Sequence, residues 1–545
     1  MHETDSQARE EPPVSGRFLT LAAGLLCVAV SVAASGLYLP HQSLWLDETT
    51  QLGGISLGPV RVVPWLAGRA KYDLNTIEDR MPPLSYWLGW AWSRAFSERE
   101  GPMRWLGVAA VAAASAVVFR AAQRAWGLAT GLAAGLLLAT SPNAVVQAVE
   151  IRAYPLLILA ASAMFAALIR VAVTPVGAKA PAGAVWAIAG LGVVAVYLHF
   201  FGLVCCGACM LAVLLIGPRR GLGPGQTIGA IALVGVCCLG LLPFLIASLD
   251  ASGAPAGPAA VEPLKAKLID AARLLYRLFA HASTGVSKPA LVAAAAGLGL
   301  AMACGLAPKR RGSGAATALA IALGSGFAVV VAARLAQSMF LATNPSYNVW
   351  MLPGLALLAA SGLGASARPV RLASGVGVGL LIGANLFADA QLARRGDYFA
   401  HTPAHQVVAA VHRLGDDKVS VVFDGQPGPM SLLGYGVYYE LGRSIPQLIH
   451  RRGDGTRLSL FGRVDAPEVG FDGLATPYLI VVDADNQPAD AVADQARRGA
   501  IAPRPDGPVA RLATASGRWE KVEETSLPGF VRADVDIFRR VEAPR

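Results

Sequence analysis

Long apolar runs, broken by short stretches that gather the charges, set the pattern of this chain. About eleven runs approach or reach the ~17–25 residues that carry a helix across a hydrocarbon core. They cover roughly 18–39, 104–122, 127–143, 153–173, 184–201, 202–217, 227–248, 287–306, 314–334, 347–365 and 372–390. The stretch before them, Met1 to Arg17, is polar and mixed in charge. The first run lacks a small-residue cleavage site with the usual polar flank, so it reads as an uncleaved first span.

The connections divide into two kinds. Arg120 to Arg124, Lys179, Arg219-Arg220, Lys309-Arg310-Arg311, and Arg368 with Arg371 lie in short basic connections. With residues 1–17 in the cytoplasm, all of them fall on the cytoplasmic side, as the positive-inside rule requires. Three long pieces then face the periplasm: the loop 40–103, the loop 249–286 and the tail from 391 to 545.

Each long piece has a pattern of its own. Pro82-Pro83-Leu84-Ser85-Tyr86-Trp87-Leu88-Gly89-Trp90-Ala91-Trp92 is apolar and aromatic but short, which predicts a helix lying in the membrane interface. Counting it as a further span would reverse the sidedness of every later basic loop. Leu264, Leu268, Ala271, Leu275 and Leu278 recur at helical spacing among Lys265, Lys267, Asp270, Arg273 and Arg277. That spacing predicts an amphipathic surface helix. In the tail, Val419 to Asp424 and Tyr478 to Asp483 read as buried strands, and Val531 to Val541 alternates like a third. Helices are expected over 404–414 and 486–498. The expected fold class is an all-α polytopic membrane protein, its membrane part spanning 18–390, with a small C-terminal α/β domain at 391–545.

Composition agrees. Hydrophobic residues make up 54% of the chain and charged residues 15%, against roughly 25% charged in soluble proteins. The 59 glycines suit close packing of membrane helices. A net charge of +10 would suggest nucleic acid in a soluble protein. Here the basic residues sit between spans, so they report topology, and no nucleic-acid partner is expected. All seven cysteines lie in apolar runs, which argues against a disulfide framework. Cys205, Cys206 and Cys209 read as packing residues before they read as a metal site.

Candidate chemistry collects at span ends on one side. Asp47 and Glu48 follow the first span at once, behind Ser43-Leu44-Trp45-Leu46. A carboxylate half-buried there can serve as general base toward a hydroxyl; a solvated acid pair or a helix cap is the plain alternative. Asp79-Arg80-Met81-Pro82-Pro83 leads into the interfacial helix, and Arg80 can hold a phosphate or anchor to headgroups. Glu150-Ile151-Arg152-Ala153-Tyr154 opens the fourth span, where Arg152 can bind a lipid phosphate with Glu150 orienting it, or the two can form a structural pair. His199, between the fifth and sixth spans, can bond a sugar or phosphate oxygen, or a neighbouring carbonyl. Arg334 ends the ninth span and is a further phosphate candidate or a snorkelling side chain; Ser346-Tyr347 opens the tenth.

Together these motifs resemble the GT-C glycosyltransferases, and within them family 39, the protein mannosyltransferase, aminoarabinose transferase and rhizobial galacturonic acid transferase type. The resemblance rests on Trp45-Leu46-Asp47-Glu48, Pro82-Pro83-Leu84-Ser85-Tyr86-Trp87, Arg104, Glu150-x-Arg152-x-Tyr154 and Tyr197-x-His199-Phe200. It covers residues 18–220 well and 221–390 weakly. It implies inverting transfer of a sugar from a polyprenyl phosphate carrier to a cell-envelope acceptor, in a bacterial inner membrane, on the periplasmic face. Asp47 would be the general base and Glu48 its support. Arg80, Arg152 and Arg334 would hold the donor phosphate, with Asp79, Glu150, Tyr154, His199 and Tyr347 orienting substrate. Two positions depart from the family pattern: Met81 stands where many relatives have His or Lys, and Ser346 where many have Arg. No cofactor is expected; a divalent metal is possible but not favoured, since adjacent acids make a poor cage. Two other readings stay open: a glycan polymerase or ligase using a polyprenyl diphosphate carrier, and a transporter of lipid-linked sugar. A transporter should carry polar residues or broken helices at the bilayer midplane.

Overall fold

The computed structural model describes residues 14–541 apart from 73, 75, 253–262, 280–287, 308–312, 338–342, 396–402, 426, 443–444, 451–456, 462–468, 471–472, 487–504 and 528–530. Residues 1–13 of the N-terminal stretch, Lys309-Arg310-Arg311 and the part of the expected 486–498 helix beyond Asn486 lie outside the described residues.

Each apolar run falls on helix. In chain order these are α1 (Val14–Tyr38), α5 (Glu100–Trp126), α6 (Leu128–Ala139), α7 (Pro142–Val149), α8 (Tyr154–Ala172), α9 (Ala182–Leu198), α10 (Gly202–Ile216), α11 (Pro224–Leu239), α12 (Leu242–Ser252), α14 (Lys288–Leu306), α15 (Ser313–Gln337), α16 (Met351–Ser361) and α17 (Arg368–Arg395). Between α1 and α5 come α2 (Leu46–Ser56), α3 (Gly58–Leu66) and α4 (Leu84–Ala95), and between α12 and α14 lies α13 (Leu264–Phe279).

The chain is a multi-pass membrane protein, but helix length alone does not give eleven crossings. Five helices, α1, α5, α8, α15 and α17, are long and apolar enough to span, and up to seven spans result if each of two bent pairs counts once. Those pairs, α6–α7 and α11–α12, bend by 55°. Pro142 opens α7, and Pro243 stands just inside α12; a ring nitrogen cannot donate to the preceding turn, so the helix breaks there. Of the remaining runs, α9, α10 and α16 are apolar helices of 11–17 residues, which at ~1.5 Å per residue reach only about 15–25 Å, and the apolar stretch of α14 covers Leu291–Leu306.

Helix α5 is the spine of the bundle, packing on α1, α6, α7 and α8. Gly107 makes one of these approaches possible, because a side chain there would overlap the backbone carbonyl of Ala148. The close contact fixes α7, and with it the segment that follows, Glu150 to Ala153.

The loop 40–103 is more ordered than its sequence suggests. Besides the expected interfacial helix α4, it forms α2 and α3. Trp65, Leu66 and Tyr86 are fully buried among Leu44, Leu52, Ile55 and Met103. Burial of each large side chain stabilises this loop by about 1.5–3 kcal/mol. Gly54 lets α2 and α4 meet, since a Cβ there would strike the rings of Tyr86 and Trp65. Helix α13 forms as expected, but it buries Ala271, Leu274 and Leu278 while Leu264 and Leu268 stay exposed. Its buried face follows its contact with α15 rather than its leucine stripe.

The tail builds a seven-stranded sheet. After α18 (Ala404–Leu414) come β1 (Val419–Gly425), α19 (Pro427–Leu441), β2 (Gln447–His450), β3 (Arg457–Leu460), β4 (Val469–Gly470), β5 (Tyr478–Asn486), α20 (Pro508–Ala515), β6 (Trp519–Leu527) and β7 (Val531–Arg540). The order is β4-β3-β2-β1-β5-β7-β6, with β2, β1 and β5 parallel and the flanking strands antiparallel. Side chains of β1 alternate between two cores. Val419, Val421 and Phe423 face α18 and α19, and Val422 faces α20. The α19 helix also reaches the membrane part: Gly436 lies against the carbonyl of Leu44, leaving no room for a side chain.

Candidate active site

Asp47 and Glu48 occupy the first turn of α2, where the helix dipole favours negative charge. Successive residues on a helix point about 100° apart, so the two acids go to different partners.

Glu48 turns inward and is fully buried. Arg104, 1% exposed, holds it bidentately through Nη1 at 2.6 Å and Nη2 at 3.1 Å. The Ile151 N–H donates to Glu48 Oε1 at 2.9 Å. Arg104 also donates to the Val149 carbonyl and to Glu100 Oε1, at 2.9 Å from Nε and 2.7 Å from Nη2. Both Glu48 oxygens are therefore engaged. These bonds tie α2 to α5 and to the Val149–Ile151 backbone.

Asp47 turns outward and keeps a third of its side chain exposed. Arg152, beside it, donates to the Asp47 backbone carbonyl at 3.1 Å and stands 3.7 Å from its carboxylate. Arg152 also pairs with Asp79 at 3.1 Å, and the Tyr86 hydroxyl donates to the same Asp79 oxygen. Burial raises the pKa of Asp47, and the Arg152 charge opposes that rise only in part. A desolvated, partly exposed carboxylate is poised to accept a proton.

Behind Arg152 stands an aromatic group. The His199 ring is 5.4 Å from Tyr154 and 5.2 Å from Tyr347 between centroids, and Phe201 is 5.5 Å from Tyr347. The Arg152 guanidinium lies 6.0 Å from the centre of the Tyr154 ring. The Phe201 N–H donates to His199 Nδ1 at 3.2 Å, which places the imidazole proton on Nε2. Nε2 is buried and has no partner among the described residues. Burial pulls the pKa of His199 down to about 3, so the ring is neutral and offers one N–H.

Glu150 does not pair with Arg152 as its sequence position suggested; Arg152 turns to Asp47 and Asp79 instead. Glu150 is 5% exposed and accepts from Gln147 Nε2 at 3.4 Å, and the same nitrogen donates to Ser346 Oγ at 3.2 Å. Burial, with the nearby charge of Glu48, pushes the pKa of Glu150 well above the usual carboxylate range. It borders a cavity of about 20 Å³ with Arg152, Gln51 and Ser85, room for about one water.

The other arginines are placed differently. Arg80 donates to the carbonyls of Trp65 (3.2 Å) and Asp79 (2.8 Å) and pairs with the half-exposed Glu78. Arg334, 2% exposed, pairs with Asp270 of α13 at 3.2 Å, and Thr343 donates to the same oxygen at 2.6 Å. It docks α13 on α15.

Reading the sequence missed three contributors: the partners of Arg104, the hydroxyl of Tyr86, and a link from the tail. His405 of α18 lies 3.0 Å from Glu100 and 3.3 Å from Glu440 of α19. The chain Glu440–His405–Glu100–Arg104–Glu48 thus runs from the C-terminal sheet layer to the helix bearing Asp47. Glu100, His405 and Glu440 also have the chemistry to hold a divalent ion, although Arg104 already occupies Glu100. Asp506, Glu524 and Asp536 cluster as well, around the Lys521 ammonium. A Pro-rich entry to α4 was visible in the sequence; contacts separated by hundreds of residues carry no local signal.

No protein-family profile and no curated protein matches this chain. Solved structures do. ArnT from Cupriavidus metallidurans in the apo state aligns over 94% of this chain and 97% of its own, with a TM-score of 0.55 and 14% identity. The same protein bound to undecaprenyl phosphate aligns over the same shares with a TM-score of 0.52. At that identity the likeness is one of fold.

Proposed function

From a chain with the fold of the GT-C glycosyltransferases, we propose an enzyme that moves a sugar from a polyprenyl phosphate carrier to a cell-envelope acceptor. The observation that carries this reading is Asp47: an outward, partly exposed carboxylate beside Arg152, with the aromatic group of Tyr154, His199 and Tyr347 behind that arginine. The ArnT neighbour with bound undecaprenyl phosphate supports a lipid-linked donor. The bundle sits in a bacterial inner membrane. Its basic connections face the cytoplasm, and Asp47 and the C-terminal sheet face the periplasm.

Transfer is a single displacement with inversion. Asp47 takes the proton of the acceptor hydroxyl as its oxygen forms the new bond to the anomeric carbon. The bond from that carbon to the carrier phosphate oxygen breaks, and the electron pair leaves with the phosphate. Tyr347, Tyr154 and the His199 N–H line the sugar.

Energetics choose among the arginines for the phosphate. Arg152 already serves two carboxylates, so its surroundings carry net negative charge. Releasing Arg152 or Arg334 from a buried pair costs about 3–5 kcal/mol. Arg80 pairs with one carboxylate, that of Glu78, which is 38% exposed, and otherwise donates to two backbone carbonyls; ion pairs of that kind are worth about 0–1 kcal/mol. Arg80 therefore takes the donor phosphate and offsets its growing charge, Arg152 positions Asp47, and Arg334 anchors α13.

The test is transfer of labelled sugar from a polyprenyl phosphate donor by membranes containing the chain. Transfer above membranes lacking it, with Arg80→Gln raising the donor KM, supports the reading. No transfer with any polyprenyl phosphate sugar, alongside transfer from a diphosphate carrier, would replace it with the polymerase or ligase reading.

A further inference from the structure

The end of the bundle away from Asp47 holds a second candidate site. Helix α5 carries Arg104 near its start and Arg120 and Arg124 near its close. At ~1.5 Å per residue Arg124 stands about 30 Å along the helix from Arg104, a full hydrocarbon thickness away. There a cleft of about 800 Å³ opens between α5, α8 and α9. Its walls are apolar, among them Val117, Ala163 and Leu191, and its rim carries Arg120, Arg124 and Arg170. A second cleft of about 690 Å³, between α1 and α5, shares Arg120.

The three guanidiniums are close enough for Arg124 to feel the charges of both others. The described partner of Arg120 is the neutral Gln123. No carboxylate pairs with any of the three among the described residues. The sequence explains why: Glu150, at the opposite end of the bundle, is the one acidic residue between Glu100 and Asp250. Among the described residues, three like charges come together with no counter-ion.

A bilayer does supply one. An apolar cleft open to lipid fills with acyl chain, which sets a headgroup at the level of the rim. A zwitterionic headgroup carries its own cation and neutralises nothing. An anionic phosphodiester accepts the forked N–H donors of arginine and brings the missing negative charge. We infer that Arg120, Arg124 and Arg170 form a site for an anionic phospholipid of the surrounding membrane, with an acyl chain in the cleft between α5, α8 and α9. The inference does not depend on the proposed reaction.

The test is native mass spectrometry of the full chain after incubation with equal amounts of phosphatidylglycerol and phosphatidylcholine. Wild type should retain phosphatidylglycerol preferentially. Arg120→Gln/Arg124→Gln/Arg170→Gln should weaken that retention roughly tenfold to a hundredfold, from the worth of each basic residue at an anionic surface. Arg219→Gln/Arg368→Gln/Arg371→Gln removes as many exposed charges from the same end, outside the cleft, and should change it little. Equal retention of both lipids by wild type, or equal losses in the two triple variants, overturns the site. Thermal unfolding in phosphatidylcholine alone checks that each variant folds; if the first triple does not, Arg124→Gln and Arg170→Gln singly should each cost a few-fold, and no loss in either also overturns it.

Discussion

Replacing Arg104 with Met removes the cation between Glu48 and Glu100 and leaves its alkyl volume in place. Arg104 is 1% exposed and bonds both carboxylates and the Val149 carbonyl. Breaking a buried ion pair from one side costs about 3–5 kcal/mol, because the partner charge stays buried and uncompensated. An unsatisfied carbonyl adds about 1–3 kcal/mol, though neighbouring effects do not simply add. Taking about 4 kcal/mol, and about 1 °C per kcal/mol for a chain of 545 residues, unfolding should move down by about 4 °C. The protein carries its own probe: five of its seven cysteines are buried and two are partly so, so a thiol-reactive dye in a heating ramp reports loss of the bundle. Arg104→Lys keeps the charge but cannot fork to both acids and should fall between. Glu48→Gln with Arg104→Met should regain part of the loss, since one of the stranded charges is gone. Unfolding of Arg104→Met within about 1 °C of wild type, or a double variant no better than the single, would refute the network as the bolt that holds α2.

Three further outcomes follow from the same geometry. Burial raises the pKa of Glu440 to about 7, and the hydrogen bond to Glu100 with the charge of Glu440 raises that of His405 against the pull of burial. Both folded values then lie above the unfolded ones, so the link is strongest in mild acid and weakens as pH rises through about 7 and above; the protection of α19 against hydrogen exchange, relative to the intrinsic rate at each pH, should fall as pH rises through about 7, and His405→Gln should flatten that trend. Gly436→Val drives a side chain into the Leu44 carbonyl; proteolysis should show α19 lifted off α2 while the seven-stranded sheet keeps its protection. Asp389, in α17, buries both carboxyl oxygens with no partner among the described residues, so Asp389→Leu should raise the unfolding temperature rather than lower it.

Local pattern carried much of the fold. The apolar runs, the Pro-Pro entry to α4, the leucine spacing of α13 and the strands around Val421 and Ile480 all have periodicities that depend on near neighbours. Helix length does not confirm the eleven crossings: four of the runs form apolar helices too short to span by that measure, and Pro142 and Pro243 bend two others that each still count once. Helices α2 and α3 escaped notice because their burial comes from Trp65 and Tyr86 packing across the loop, not from a stripe within either helix. At the site, residue type and depth marked Asp47, Arg152, Tyr154, His199 and Tyr347, which the structure brings together. The pairings were not legible. Glu48 and Asp47 are adjacent and chemically alike, and only their rotation on α2 sends one to Arg104 and the other to Arg152. Arg334 had the right residue type at the right depth, and a partner on α13 that the sequence does not connect to it.

In membranes supplied with labelled polyprenyl phosphate sugar, Asp47→Asn keeps the size and the neighbours of the side chain but cannot accept the acceptor's proton. Transfer should fall by about 10²–10⁴ with donor binding retained. Transfer at the wild-type rate by a folded Asp47→Asn protein would contradict the role of Asp47 as general base.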